Sequence, residues 1–435
     1  MKTTLPPGPP LPGLVQAMLY LSRPVRFLDS CHRRYGKCFT IKLPGLGTYV
    51  FVTDLADIRT IFRDPETFRA GEANAAFGKR LLGSTSVLLT DGARHRRQRR
   101  LMMPAFHGQS VAALASLMAD IAARDIETWP VGETFPVWPR MRQITFEVIL
   151  RTVIGADDEE RLAGLRESLP KLANRWFGAK TREIEQRANA ALYAEITRCM
   201  DDPALDQRND VLAMMARARG EDGSAMTRDE LRDQLITLLV AGHETTATGL
   251  AWALERLVRH PQVLARTQRA ARDGDDRYLD AIVAETLRVR PVITDVNRKL
   301  SRPAEVSGYL LPAGTIVNPA ITLVQRDAGH YPQPLAFDPD RFASQSPDPD
   351  HWLPFGGGNR RCLGAAFASV EMRVVLREIL RRVELQTTAS RGERPKMHLV
   401  MVAPHKGALM TVRRRVPAGS IPAGSTAGAP STVRA

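Results

Sequence analysis

The sequence predicts a mainly α protein with a smaller β region, and three observations carry that prediction. The stretch from about Asp91 to Thr286 reads as helix, interrupted only near Pro104, Pro130, Pro136, Gly155, Pro203 and Gly220 to Gly223. β-rich runs are confined to a segment near the N-terminus and to the last third of the chain. Strands and helices do not alternate regularly, as a doubly wound sheet or a barrel requires, and nothing repeats at a solenoid period.

The elements follow in order. Leu5 to Gly13 (LPPGPPLPG) is stiff and extended, because each proline fixes its own φ and biases its predecessor away from helix. Thr40 to Thr53 holds two strands around Pro44-Gly45-Leu46-Gly47, a hairpin. Asp57 to Arg63 is a short helix ended by Asp64-Pro65. Thr227 to His260 is one long helix, opened by a Thr227/Glu230 capping box and ended by Pro261. Tyr278 to Arg290 is a helix stopped by Pro291. A β-rich region runs from about Val292 to Val317, with turns at Gly308 and Pro312 to Gly314, and a shorter one covers Met397 to Val412. Between them Cys362 heads a helix from Leu363 to Arg382. Residues 416–435 are small, polar and proline-interrupted, the composition of a disordered tail.

Composition narrows the function classes. The chain has 435 residues, 44% of them hydrophobic and 25% charged, as in ordinary globular proteins. The net charge of +14 suits either a solvated arginine-rich surface or a basic face for an acidic partner. Aromatic residues are only 6%, which argues against the stacking platforms of single-strand nucleic-acid binders. The four cysteines, Cys31, Cys38, Cys199 and Cys362, form no Cys-x-x-Cys pair, so a zinc knuckle or redox dithiol is not expected and a reducing cytoplasm is. No apolar run reaches membrane-spanning length. Leu14 to Leu21 is the one stretch suited to touching a membrane surface.

Four constellations carry chemistry. Cys362 follows three glycines and two arginines in HWLPFGGGNRRCLGAAFA and heads a helix, whose N-terminus favours thiolate, the form that binds metal or attacks carbon. The glycines at 356, 357 and 358 allow the backbone to pass close to a flat or bulky object, and Arg360 could meet an anionic group on it. A nucleophilic cysteine with His351 as base, or a structural cysteine, are the competing readings. The long helix carries Ala241-Gly242-His243-Glu244-Thr245-Thr246 at its centre, poor helix formers that mark either a tight packing point at Gly242 or an opening in the hydrogen-bond ladder. There Glu244 and Thr245 are an acid and an alcohol suited to relaying protons. Glu285 and Arg288 lie on one helical face, with Arg341 downstream between two phenylalanines. His95 and Arg99 share a face of a basic helix, a pattern that also suits a solvated surface or a nucleic-acid stripe.

Phe355-Gly356-x-Gly358-x-Arg360-x-Cys362-x-Gly364 resembles the haem-binding signature of the cytochrome P450 superfamily, and the other segments fall in that family's order over about residues 6–415. Ala241-Gly242-x-Glu244-Thr245 resembles its oxygen-activation motif, and Glu285-x-x-Arg288 with Arg341 its core triad. His95-x-x-x-Arg99 and Arg298 resemble its propionate partners. The resemblance implies one haem domain over residues 1–415, of triangular outline. Haem b (iron protoporphyrin IX) would lie buried between the long central helix and the helix after the cysteine, with Cys362 as axial thiolate. It implies a monooxygenase that takes O2 as co-substrate and inserts one oxygen atom into a lipophilic small molecule, by hydroxylation or epoxidation. Electrons would come ultimately from NAD(P)H through an acidic ferredoxin or flavodoxin with its reductase, docked on the cysteine side near Arg96, Arg97, Arg100 and Arg361. Candidate substrate contacts are Phe77, Leu81, Leu82, Val87, Leu88, Ala241, Val292, Ile293 and Thr294. A cytoplasmic monomer without nucleic acid is expected. The Arg360-Arg361-Cys362 form and the proline-rich start resemble eukaryotic members more than many bacterial ones. Two other readings remain: a haem-thiolate enzyme that isomerises or dehydrates peroxides, against which Glu244-Thr245 argues, and a basic nucleic-acid-binding helical protein, which would lack a chromophore.

Overall fold

The computed structural model describes residues 5–45, 47–106, 108–155, 158–174, 181–387 and 389–416. Apart from Val416, the segment expected to be a disordered tail lies outside the described residues. Helices dominate, and among the described residues four small sheets are built from strands near the N-terminus, at 134–136 and in the last third of the chain. No helix is long and apolar enough to cross a membrane among the described residues.

The long helix spans Arg228–Leu257, with Thr227 as its N-cap and both halves of the capping box formed with Glu230. Its apolar residues, among them Leu231, Leu235, Leu250 and Leu254, are wholly buried, and it packs along helix Val137–Ile154. Gly242 explains how closely: a Cβ there would meet Ile149 Cδ1 at 3.0 Å. The helix is continuous through Ala241 to Thr246. The opening expected in its ladder is therefore not present, and Gly242 serves the tight packing that was the alternative reading.

The N-terminal hairpin forms as its turn residues predict, Cys38–Leu43 against Gly47–Val52. A five-stranded sheet grows from it: 38–43, 47–52, 316–319, 298–300, 68–69. The strand at 47–52 runs parallel to the one at 316–319, which ties the N-terminal hairpin to the last third of the chain and places Arg298 on an interior strand. The proline-rich start is extended and docked, with Thr40 donating its N–H to Pro7 O (2.9 Å) and its hydroxyl to Pro6 O (2.7 Å). The short helix begins at Leu55 rather than Asp57, because Asp54 caps it by accepting from the Ala56 and Asp57 N–H groups.

Glu285, Arg288 and Arg341 meet in one cluster. Arg288 donates Nε to Glu285 Oε2 (2.7 Å) and Nη2 to Oε1 (2.8 Å), and both residues are 0% exposed. The other guanidinium protons go to the carbonyls of Gln325, Pro334 and Ala336, which locks the segment before the cysteine loop. Arg341 Nε stands 3.6 Å from Glu285 Oε1. Breaking a buried charge pair costs far more than losing a surface one. Glu285→Ala is expected to lower stability by about 3–5 kcal/mol, read as an earlier urea unfolding midpoint; an unchanged midpoint would show that the pair does not hold this segment.

Candidate active site

The cysteine loop is clamped from three sides. Cys362 donates its N–H to Phe355 O (2.9 Å), closing the loop on itself before helix Ala365–Arg382 starts. Gly356 and Gly358 have φ of 66° and 63°, where a side chain is strained. A Cβ on Gly357 would strike the Phe62 ring at 2.3 Å, and one on Gly358 would strike Phe62 O at the same distance. The bulky object that the backbone passes at 357 and 358 is thus Phe62 of helix Leu55–Arg63. Gly356 alone, with nothing near its Cβ position, faces open space.

Arg360 is the third clamp. Its guanidinium donates to the carbonyls of Val87 and Thr90 and to Asp91 Oδ1. Asp91 also accepts from the N–H groups of Gly71 and Glu72, each at 2.9 Å. Arg360 is thus paired with Asp91, and it ties the cysteine loop to the starts of two helices.

The Cys362 thiol is enclosed by protein and yet keeps exposed surface, so it opens onto the interior. Burial pushes the thiol up, and the Gly364 N–H, Arg99 and Arg361 oppose that push. The lowering expected from the helix terminus is therefore subordinate to enclosure in this form of the chain. On the central helix, Ala241 is exposed and Gly242 and Thr245 are half-buried, although most neighbours along the helix are buried. Thr245 donates its hydroxyl to Ala241 O (2.7 Å), the competition with the helix ladder that the sequence suggested.

Glu244 does not share that environment. Its carboxylate accepts from Arg142 Nε (2.8 Å) and lies 3.6 Å from His243 Nε2, on the side of helix Val137–Ile154. Burial pushes Glu244 up, but His243 and Arg142 outweigh it and hold the carboxyl below its usual range. The acid and the alcohol, adjacent in sequence, turn to different surroundings; nothing in the motif itself signalled Arg142, a hundred residues upstream.

A basic cluster stands beside the cysteine. His95 and Arg99 lie on helix Gly92–Met102, and Arg298 on the strand 298–300. Arg298 is 5% exposed, stacks over the Phe62 ring at 5.5 Å and, among the described residues, donates only to Asn297 O. Arg99 has no hydrogen bond or ion pair to another described residue. Burial and the charges of Arg360 and Arg99 push His95 down to about 4, and burial pushes Arg298 down to about 10. Buried cations without carboxylates call for an anion. Two arginines and a histidine near an accessible thiol, with open surface on the facing helix, fit a dianionic haem placed between the central helix and the cysteine helix. Cys362, Arg99, Arg298 and His95 are the residues that would hold it.

The other candidates divide. The Phe77 side chain lies outside the described residues. Leu82, Val87 and Val292 are buried core residues, Leu81 and Ile293 pack at the core's edge, Thr294 is buried, and Leu88 is 40% exposed. Of the arginines expected on a docking face, Arg96 pairs with Glu66, Arg97 with Glu230, and Arg100 with Glu221, whereas Arg361 is exposed beside the cysteine.

His95 sets a pH dependence. Its folded pKa lies below its unfolded one, so above about pH 6.5 it contributes nothing, and as pH falls from there to about 4 the unfolded chain takes up a proton that the folded chain resists. Stability is lost in that window. Urea midpoints of the haem-free chain measured at about pH 7 and about pH 5 are expected to fall less with acid in His95→Gln than in the unaltered sequence; equal falls would show that His95 titrates normally.

Comparison with known proteins agrees with this geometry. A family model described as Cytochrome P450 matches residues 6–163 and 165–412. Cytochrome P450 135B1 of Mycobacterium tuberculosis is 53% identical over 98% of this chain and 96% of its own length. Cytochrome P450 135A1 of the same organism is 38% identical over 94% and 95%. Among solved structures, the retinoic acid bound cyanobacterial CYP120A1 superposes with a TM-score of 0.82 at 24% identity, over 95% of this chain and all of that one, a likeness of fold. With a clamped cysteine, an unpaired basic cradle and a family match across nearly every described residue, the chain belongs to the cytochrome P450 family of haem-thiolate monooxygenases.

Proposed function

We propose that this enzyme inserts one atom of O2 into a lipophilic small molecule, by hydroxylation or epoxidation, that Cys362 would hold the haem iron through its thiolate, and that electrons pass from NAD(P)H by an acidic ferredoxin or flavodoxin and its reductase. The observation that carries the reading is the interior-facing Cys362 thiol held by its own N–H on Phe355 O. Haem supplies the redox-active iron, whose thiolate ligand favours O–O cleavage.

The chain's own residues do the rest. The loop fixes Cys362 Sγ so that the ligand bond costs no reorganisation. Arg99, Arg298 and His95 would receive the carboxylates of the cofactor, and an anion beside His95 would make its protonation easier. Ala241 presents only a methyl group where the central helix must be approached closely. Thr245 holds its proton on Ala241 O and keeps its oxygen free to accept, so it can pass a proton inward by rotating its hydroxyl. Glu244 supports this from behind: paired with Arg142, it fixes the helix rather than handing a proton to Thr245 directly. Arg361 is the exposed cation on the side where the acidic donor docks.

The test uses the haem-loaded protein with a ferredoxin, its reductase and NADPH. Thr245→Ala is expected to keep NADPH consumption within a few-fold while product per NADPH falls about tenfold or more, within the range typical of losing a proton-transfer group, with hydrogen peroxide making up the difference. Unchanged product per NADPH would remove Thr245 from the proton path.

A further inference from the structure

Helix Gly13–Ser22 turns one face to the protein and another to solvent, and only the first is accounted for by packing. On the inner face Gln16 is buried, donates Nε2 to the carbonyls of Pro9 (3.2 Å) and Leu11 (2.8 Å), and accepts at Oε1 from the Lys42 N–H (2.9 Å). Tyr20 donates its hydroxyl to Asp295 Oδ2 (2.8 Å). The helix is thus fastened to the N-terminal hairpin and to the segment after helix Asp276–Val289. Its outer face is apolar. Leu14 is 74% exposed, Met18 59% and Leu21 57%, and Leu11, just before the helix, is 41% exposed. At about 100° per residue, Leu14, Met18 and Leu21 fall within about 60° of one another, with Gln16 on the opposite side. Large apolar side chains scattered singly over a surface need no explanation, but a stripe of them on a fixed helix does.

The surroundings of the stripe are basic. Before Asp54 the chain holds seven lysines and arginines and a single acid, Asp29, which pairs with Arg33. Arg23 follows the helix directly, Arg26 stands in the first turn of helix Pro24–Tyr35, and Lys42 sits beside Gln16. All three are exposed and make no ion pair among the described residues. Lys396, on the strand Pro395–His398 that packs against the helix, is likewise exposed and unpaired among the described residues. Whatever covers this face must therefore be apolar within and negatively charged at its surface. A second copy of the chain fails the second condition, because a self-complementary contact through this helix would set the cations against their own copies. A bilayer containing anionic phospholipid meets both: acyl chains take the stripe and headgroups meet the cations, as for a helix lying in the interfacial plane. Ten residues are too few to cross the bilayer.

We propose that the face of helix Gly13–Ser22 bearing Leu14, Met18 and Leu21, ringed by Arg23, Arg26 and Lys42, docks this protein peripherally on an anionic lipid surface. Docking leaves the haem chemistry as it is and brings the protein to the phase in which lipophilic molecules dissolve.

The experiment is flotation of the haem-loaded full chain with two kinds of vesicle, phosphatidylcholine alone and an equal mixture of phosphatidylcholine and phosphatidylglycerol, at about 0.1 M salt. The unaltered protein is expected to partition onto the anionic vesicles about tenfold more strongly than onto the neutral ones. The triple variant Leu14→Gln, Met18→Gln, Leu21→Gln is expected to lose about tenfold or more of that binding, while the haem spectrum and thermal midpoint stay as they were, because the altered side chains face solvent. The double variant Arg23→Glu, Lys42→Glu is expected to lose the preference for anionic over neutral vesicles. No binding of the unaltered protein to the anionic vesicles overturns the proposal whether or not the variants fold. Binding that a folded triple variant retains also overturns it and assigns the attraction to the general positive charge of the chain. A preference for anionic vesicles that survives the charge reversal overturns it too. Self-association that the triple variant abolishes, without vesicle binding by the unaltered protein, would assign the face to a second copy instead.

Discussion

One hydrogen bond, from the Cys362 N–H to the Phe355 carbonyl, decides what the rest of the molecule can do. It turns the chain back so that the thiol faces inward at the head of the helix from Ala365 to Arg382. The surrounding contacts hold that turn. Phe62 occupies the space that side chains at 357 and 358 would need, and the Arg360–Asp91 pair fastens the loop to the helices that begin at Ala70 and Gly92. The Glu285–Arg288 pair secures the approach to the loop. These elements are far apart in sequence, and their agreement on one loop geometry is what consistency between local and global structure means physically.

Charge is distributed with the same economy. The guanidinium nearest the loop is matched by an aspartate, whereas those of Arg99 and Arg298 are not matched by any described acid. A protein does not bury cations without a partner unless a ligand supplies the countercharge. Matched and unmatched arginines therefore form two groups around the cysteine, one that braces the loop and one without a salt bridge among the described residues, a distinction that sequence spacing could not make.

Much of the fold was legible because its signals are local. The hairpin turn, the capping box at Thr227, the prolines after the long helices and the tight turns at Gly308 and Gly314 each act within a few residues. The family resemblance was legible because the loop chemistry is concentrated between Phe355 and Gly364. What escaped was non-local. Gly242 fits against Ile149, Glu244 pairs with Arg142, and Arg360 turns to Asp91, each across a distance in sequence that no motif spans.

The account depends most on sulfur from residue 362 binding the cofactor's iron. Purified holoprotein, reduced and exposed to carbon monoxide, should show the long-wavelength Soret band of thiolate-ligated haem, and Cys362→Ser should lose that band while haem content and far-UV circular dichroism report a folded chain. A serine variant that keeps the band, or an unaltered protein that takes up haem without ever showing it, would contradict the account.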